Sequence, residues 1–97
     1  MEQKQISLNE LRKQIDAVDT LLINCLAKRR EIVKQIAEIK LKENLPIFCP
    51  EREQAMLEER KTAAFNFGLS PEFISDIFKI ILANSKNIQS LEVKNDK

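Results

Sequence analysis

From Ser7 to Asn44 the chain runs SLNELRKQIDAVDTLLINCLAKRREIVKQIAEIKLKEN, with no glycine and no proline. Written as heptads, its a positions are Leu8, Ile15, Leu22, Arg29 and Ile36, and its d positions are Leu11, Val18, Cys25, Ile32 and Ile39. Nine of those ten are apolar, and Arg29 is the exception. A stripe sustained this long predicts one helix, over about 7–44, that packs along another helix. An arginine inside such a seam is costly to bury unless an anion meets it.

Outward from this stretch, the signals are helical. Ser7-Leu8-Asn9-Glu10 is a capping box, and residues 1–6 before it are expected to fray. Pro46 and Pro50 bracket Leu45 to Cys49, a connection that cannot stay helical. Pro50 suits the first position of a second helix, with Glu51 and Glu53 favourable near its positive end. Met56, Leu57, Arg60, Ala63, Ala64 and Phe67 carry it to about residue 67, and Gly68 offers a C-terminal cap. Ser70-Pro71 restarts the chain as N-cap and first helical residue. The third helix is expected over about 71–91, with Ile74, Ile77, Phe78, Ile81, Ser85 and Ile88 on one face, and Val93 to Lys97 are expected to be loose. The expected fold is all-α, a single domain over 1–97 with one very long N-terminal helix.

At ~1.5 Å per residue the first helix would be roughly 55 Å long. Helices of half that length cannot cover its seam within one chain unless they lie end to end. A second chain can, which predicts an intertwined homodimer about a two-fold axis. With 97 residues, the chain also gains from sharing a core.

Composition narrows the function. The formal net charge is +1, so no global field attracts nucleic acid or a membrane surface, and an anion site must be a local cluster. There is no His, Trp or Tyr, which removes the commonest general base and the commonest metal ligand. Cys25 and Cys49 form neither a zinc pattern nor a CxxC pair, and Cys25 on the seam reads as a small buried hydrophobe. No signal peptide or spanning segment is seen, so the cytoplasm is expected.

Several polar residues sit where apolar ones would serve packing better. Lys40 lies eleven residues after Arg29, about 20° away around the helix and ~16 Å along it, so the two can close on a small anion. The alternative is that Arg29 pairs with a carboxylate of another helix and Lys40 snorkels to solvent. Arg12 is ~25 Å from Arg29 along the helix, so it joins the same site only from an antiparallel partner chain, and otherwise is a surface residue. Ser85 interrupts the apolar face of the third helix, as a serine bonded back to a carbonyl also would. Gln89, one turn on, is less innocent, because a buried amide needs partners. On spacing alone, Arg52 and Glu53 read as routine helix-end charge. Arg12, Arg29, Lys40, Arg52, Glu53, Ser85 and Gln89 together are rich in cations and neutral donors. They hold no nucleophile–base pair and no metal cluster. Such a set suits a dicarboxylate and developing negative charge, and is poorly equipped for covalent catalysis.

The joint spacing resembles the small all-helical chorismate mutases. The matching stretches are Leu11-Arg12-Lys13-Gln14-Ile15-Asp16 with Asp19, Ala27-Lys28-Arg29-Arg30, Lys40, Pro50-Glu51-Arg52-Glu53, and Asn84-Ser85 with Gln89. They span residues 8–91 without a gap. The resemblance implies a dimer of three-helix chains whose long helices cross between subunits. It implies rearrangement of chorismate to prephenate in phenylalanine and tyrosine biosynthesis, without cofactor or metal. By the same resemblance, Arg29 and the partner chain's Arg12 clamp the substrate carboxylates. Lys40 and Gln89 donate to the ether oxygen as its bond breaks. Glu53 accepts from the ring hydroxyl with Arg52 close by, and Ser85 lines the carboxylate end. One departure is Cys49, where some relatives carry an aspartate.

Two other readings stand beside this one. Cys49-Pro50-Glu51-Arg52 and Ala55-Met56-Leu57 also resemble a branch that cleaves isochorismate to salicylate and pyruvate, although Glu53 and Ser85 look more like the mutases. The heptad stripe alone is equally that of a non-catalytic helical dimer module.

Overall fold

Two reciprocal hydrogen bonds start the first helix: the backbone N–H of Glu10 donates to Ser7 Oγ at 3.1 Å, and the N–H of Ser7 donates to Glu10 Oε2 at 3.4 Å. They satisfy donors that the first turn of a helix leaves open. In this computed structural model, residues 6–95 are described, with side chains to residue 92. They form three helices, α1 (Leu8–Lys42), α2 (Pro50–Asn66) and α3 (Pro71–Asn95), with no strand among the described residues.

Each helix end has a local cause. α1 ends at Lys42, and Asn44 turns left-handed, with φ 56. Asparagine tolerates that region better than most residues. The turn lets the Leu45 N–H reach back to the Lys40 carbonyl at 2.8 Å, closing the helix with a six-residue hydrogen-bonded ring. α2 opens at Cys49, in extended conformation with no side-chain cap, and Pro50 supplies the pre-set first turn. It ends in the same way as α1: Gly68 has φ 72, and the Leu69 N–H donates to the Ala64 carbonyl at 2.8 Å. α3 opens under Ser70, whose Oγ accepts from the Phe73 N–H at 3.2 Å. It continues past Leu91 to Asn95, so Val93 to Asn95 are helical rather than loose. Asp96, Lys97 and the first five residues lie outside the described ones.

The chain divides into two compact units, 1–31 and 32–97. In 32–97, α2 packs against α3, and Val33, Ala37, Met56, Ala64 and Leu82 form the buried apolar core. Arg60 lies over the Phe78 ring at 5.6 Å from its centroid, which adds a cation–π contact between the two helices. Ala63 and Phe67, part of the pattern that carries the second helix, are exposed, Phe67 at the helix end. Ser75, Ser85 and Gln89 are buried polar residues.

Residues 8–31 differ. Leu8, Ile15, Val18 and Leu22 are 62%, 60%, 61% and 59% exposed. Cys25, read from the sequence as a buried hydrophobe, is exposed. Leu11, Gln14, Ile15, Val18 and Asp19 line an open groove of about 420 Å³. No helix among the described residues is long and apolar enough to cross a membrane.

Candidate active site

The left-handed turn at Asn44 sends the chain back over the last turn of α1. There the Nζ of half-buried Lys40 donates to the Ile47 carbonyl at 2.8 Å. Lys40 therefore does not snorkel to solvent. An ammonium carries three donors, so the carbonyl contact fixes its position and leaves donor capacity for a ligand. Ala37, Lys40, Leu41, Asn44, Leu45 and Ile47 line an open pocket of about 380 Å³.

The next residue, Phe48, is tied to α3. Lys86 Nζ lies 4.5 Å from the centroid of its ring and 3.2 Å from Glu53 Oε1. Glu53 is half-buried in the first turn of α2, where its charge also suits the positive end of the helix. The connection between α1 and α2 is thus held at consecutive residues, by a carbonyl at one and a ring at the other. Of the two cations that hold it, Lys40 lines the pocket and Lys86 pairs with Glu53.

Ser85 and Gln89 are each 7% exposed. Ser85 Oγ donates back to the Ile81 carbonyl at 2.9 Å, the ordinary habit of a serine in a helix. Gln89 is different: its Oε1 is buried without a hydrogen-bond partner. A half-turn of the side chain exchanges oxygen and nitrogen, so the unmet capacity belongs to the amide as a whole. Such an orphan costs about 1–3 kcal/mol, and it asks for an explanation beyond packing.

The remaining residues of the expected set lie elsewhere. Arg52 is exposed beside Glu53. In the first unit, Arg12 is exposed, while Arg29 is half-buried and partnered. Among the described residues no group of three or more His, Cys, Asp or Glu side chains gathers in a way that would hold a metal ion. Lys86 and Phe48 escaped the reading of the sequence. The signal that marks Lys86 is its place on α3 in the same turn as Ser85 and Gln89.

Comparison with known proteins adds a family. A family model described as chorismate mutase type II matches residues 11–90. The chain is 42% identical over 78 residues to a T-protein of Enterobacter agglomerans, covering 80% of this chain and 21% of that protein. It is 30% identical over 82 residues to a chorismate mutase of Methanocaldococcus jannaschii, covering 84% of this chain and 83% of that one. It is also 48% identical over 52 residues to a bifunctional chorismate mutase/prephenate dehydratase of Aquifex aeolicus, covering 54% of this chain and 14% of that protein. The chain spans about a fifth of the length of the T-proteins it matches.

Proposed function

The chain belongs to the chorismate mutase type II family, and on that premise we propose that it rearranges chorismate to prephenate in phenylalanine and tyrosine biosynthesis, in the cytoplasm. The family match over 11–90 carries the reading. The geometry that supports it is Lys40, half-buried and held by the Ile47 carbonyl at 2.8 Å beside an open pocket.

The rearrangement is intramolecular: a carbon–oxygen bond breaks as a carbon–carbon bond forms, and no proton has to move. The protein's task is to hold a compact reactive conformer and to meet the negative charge growing on the ether oxygen. We assign that charge to Lys40 and Gln89. The burial of the Gln89 amide with its Oε1 unpartnered supports a polar role for it: the ether oxygen only accepts, so the amide N–H is the group that donates to it. Glu53 accepts from the ring hydroxyl, with Arg52 nearby and Ser85 toward the carboxylate end. Arg29 takes a substrate carboxylate, preferably through two parallel hydrogen bonds.

We further propose that the working enzyme is a homodimer in which the partner chain's Arg12 completes each site. The exposed stripe from Leu8 to Leu22 supports this. Full burial of such side chains is worth about 1.5–3 kcal/mol each, so leaving them in water is a standing cost that a second copy removes.

The test is a direct assay of the purified protein with chorismate, repeated with isochorismate. Prephenate from chorismate, with little salicylate from isochorismate, is the expected result. Salicylate as the main product would replace the mutase by the lyase. Neither product from a folded dimer would leave a binding module.

A further inference from the structure

Lys86 belongs to no part of the machinery assigned above, yet it touches that machinery on one side and the α1–α2 connection on the other. Its Nζ is 3.2 Å from Glu53 Oε1 and 4.5 Å from the Phe48 ring centroid. The side chain of Glu53 is 20% exposed and that of Lys86 40%, so the pair is shielded from full solvent screening without being buried. A carboxylate has about four lone-pair sites. Contact at Oε1 therefore leaves Oε2 able to accept from a hydroxyl. On α3, Lys86 follows buried Ser85 directly and precedes buried Gln89 by three residues, within one helical turn. The ring of Phe48 fixes the ammonium from the other side, and Phe48 is in turn held through its neighbour Ile47, which accepts from Lys40.

We infer that Lys86 is a positioning residue for Glu53, orienting its carboxylate so that Oε2 faces the substrate's ring hydroxyl. This rests on the role proposed above for Glu53. A carboxylate at the start of a helix has free rotation about several bonds, and freezing it only upon binding would cost affinity. The cation on α3 and the ring beneath it meet that cost before substrate arrives. The selectivity gained is for a ligand that carries a hydroxyl donor at that point, because an ionised carboxylate fixed in place is an acceptor only.

The experiment compares Lys86→Met, Lys86→Gln and Lys86→Arg with the wild type, and repeats Lys86→Met in a Glu53→Gln background. Methionine keeps an unbranched apolar side chain and removes the charge that lies over Phe48. Loss of Lys86 is expected to raise KM for chorismate roughly threefold to fivefold, the scale of a partly exposed ion pair, with kcat little changed. Arginine is expected to restore KM. In the Glu53→Gln background, Lys86→Met should leave kcat/KM where Glu53→Gln alone puts it, a non-additivity that a purely structural role would not produce. An unchanged KM in both charge-free variants would overturn the positioning role, as would an equal loss in the two backgrounds. Prephenate formation by the wild type is the control. Its absence would overturn the reading of the site and this inference with it, whereas its presence with unchanged Lys86 variants would overturn the inference alone.

Discussion

Leu8, Ile15, Val18 and Leu22 near the start of α1 are each about 60% exposed, whereas Val33, Ala37, Met56, Ala64 and Leu82 in residues 32–97 are each 8% exposed or less. Both regions are regular helix with well-made ends. They differ in where the cover for their apolar faces comes from. In 32–97 part of it comes from the same chain, where α2 packs against α3, while Ile32, Ile36 and Ile39 of the heptad stripe stay 55%, 41% and 55% exposed. In 8–31 the proposed cover is a second copy of the chain. A hydrophobic period fixes which face of a helix is to be covered but says nothing of who supplies the cover. The same contrast holds for polar residues. Gln89 is buried and unsatisfied by its own chain, while Arg12 is exposed. On the reading proposed above, substrate and a second chain would bring these two residues into one site.

Substitutions in either region test this difference. The largest effect is expected from Lys40→Ala. Removing a preorganised donor from developing charge costs about 10²–10³-fold in kcat, and the circular dichroism spectrum should stay helical. Wild-type turnover in this variant would sink the assignment of Lys40. Next, Leu22→Glu places a charge in the exposed stripe. If a second copy covers that stripe, about 3–5 kcal/mol of dimer stability is lost and sedimentation velocity reports monomer. An unchanged sedimentation coefficient would show the stripe is not the interface.

Gln89→Leu separates stability from function in one residue. Replacing a buried, unsatisfied amide with an apolar side chain of similar size should leave thermal stability unchanged or raise it by about 1 kcal/mol, while prephenate formation falls sharply. Loss of stability together with activity would mean that the amide serves the core. Because an amide does not titrate and the chain has no His, the wild-type rate should vary little between about pH 6 and 8. A steep profile there would point to a titrating group in place of Gln89. The smallest effect is at the helix ends. Nothing lies within 4 Å of a Cβ built on Gly68, so Gly68→Ala should cost only the left-handed conformation, about 1 kcal/mol in a thermal melt. Asn44→Gly should gain a few tenths of a kcal/mol by the same reasoning.

Much of the fold was legible because it is written locally. The capping box at Ser7, proline at the first turn of α2 and α3, and Gly68 at a left-handed turn each act through neighbours in sequence. The end of α1 was less legible, because an asparagine can continue a helix or turn out of it, and here Asn44 turns out. For the site, Gln89 could be singled out as an amide beside an apolar face. The Lys40 to Ile47 contact could not, since it depends on how the connection folds back. Lys86 was missed because a lysine on a helix is usually solvated, and only the positions of Glu53 and Phe48 give this one a role.

If each active site is assembled from two chains, mixing two inactive variants, Arg12→Ala and Lys40→Ala, under conditions that exchange subunits restores activity. A mixed dimer then holds one site with both wild-type residues and one with neither. Since random exchange makes about half the dimers mixed, roughly a quarter of wild-type activity should return. No recovery, with subunit exchange verified by mass, would contradict a shared site and place Arg12 outside it.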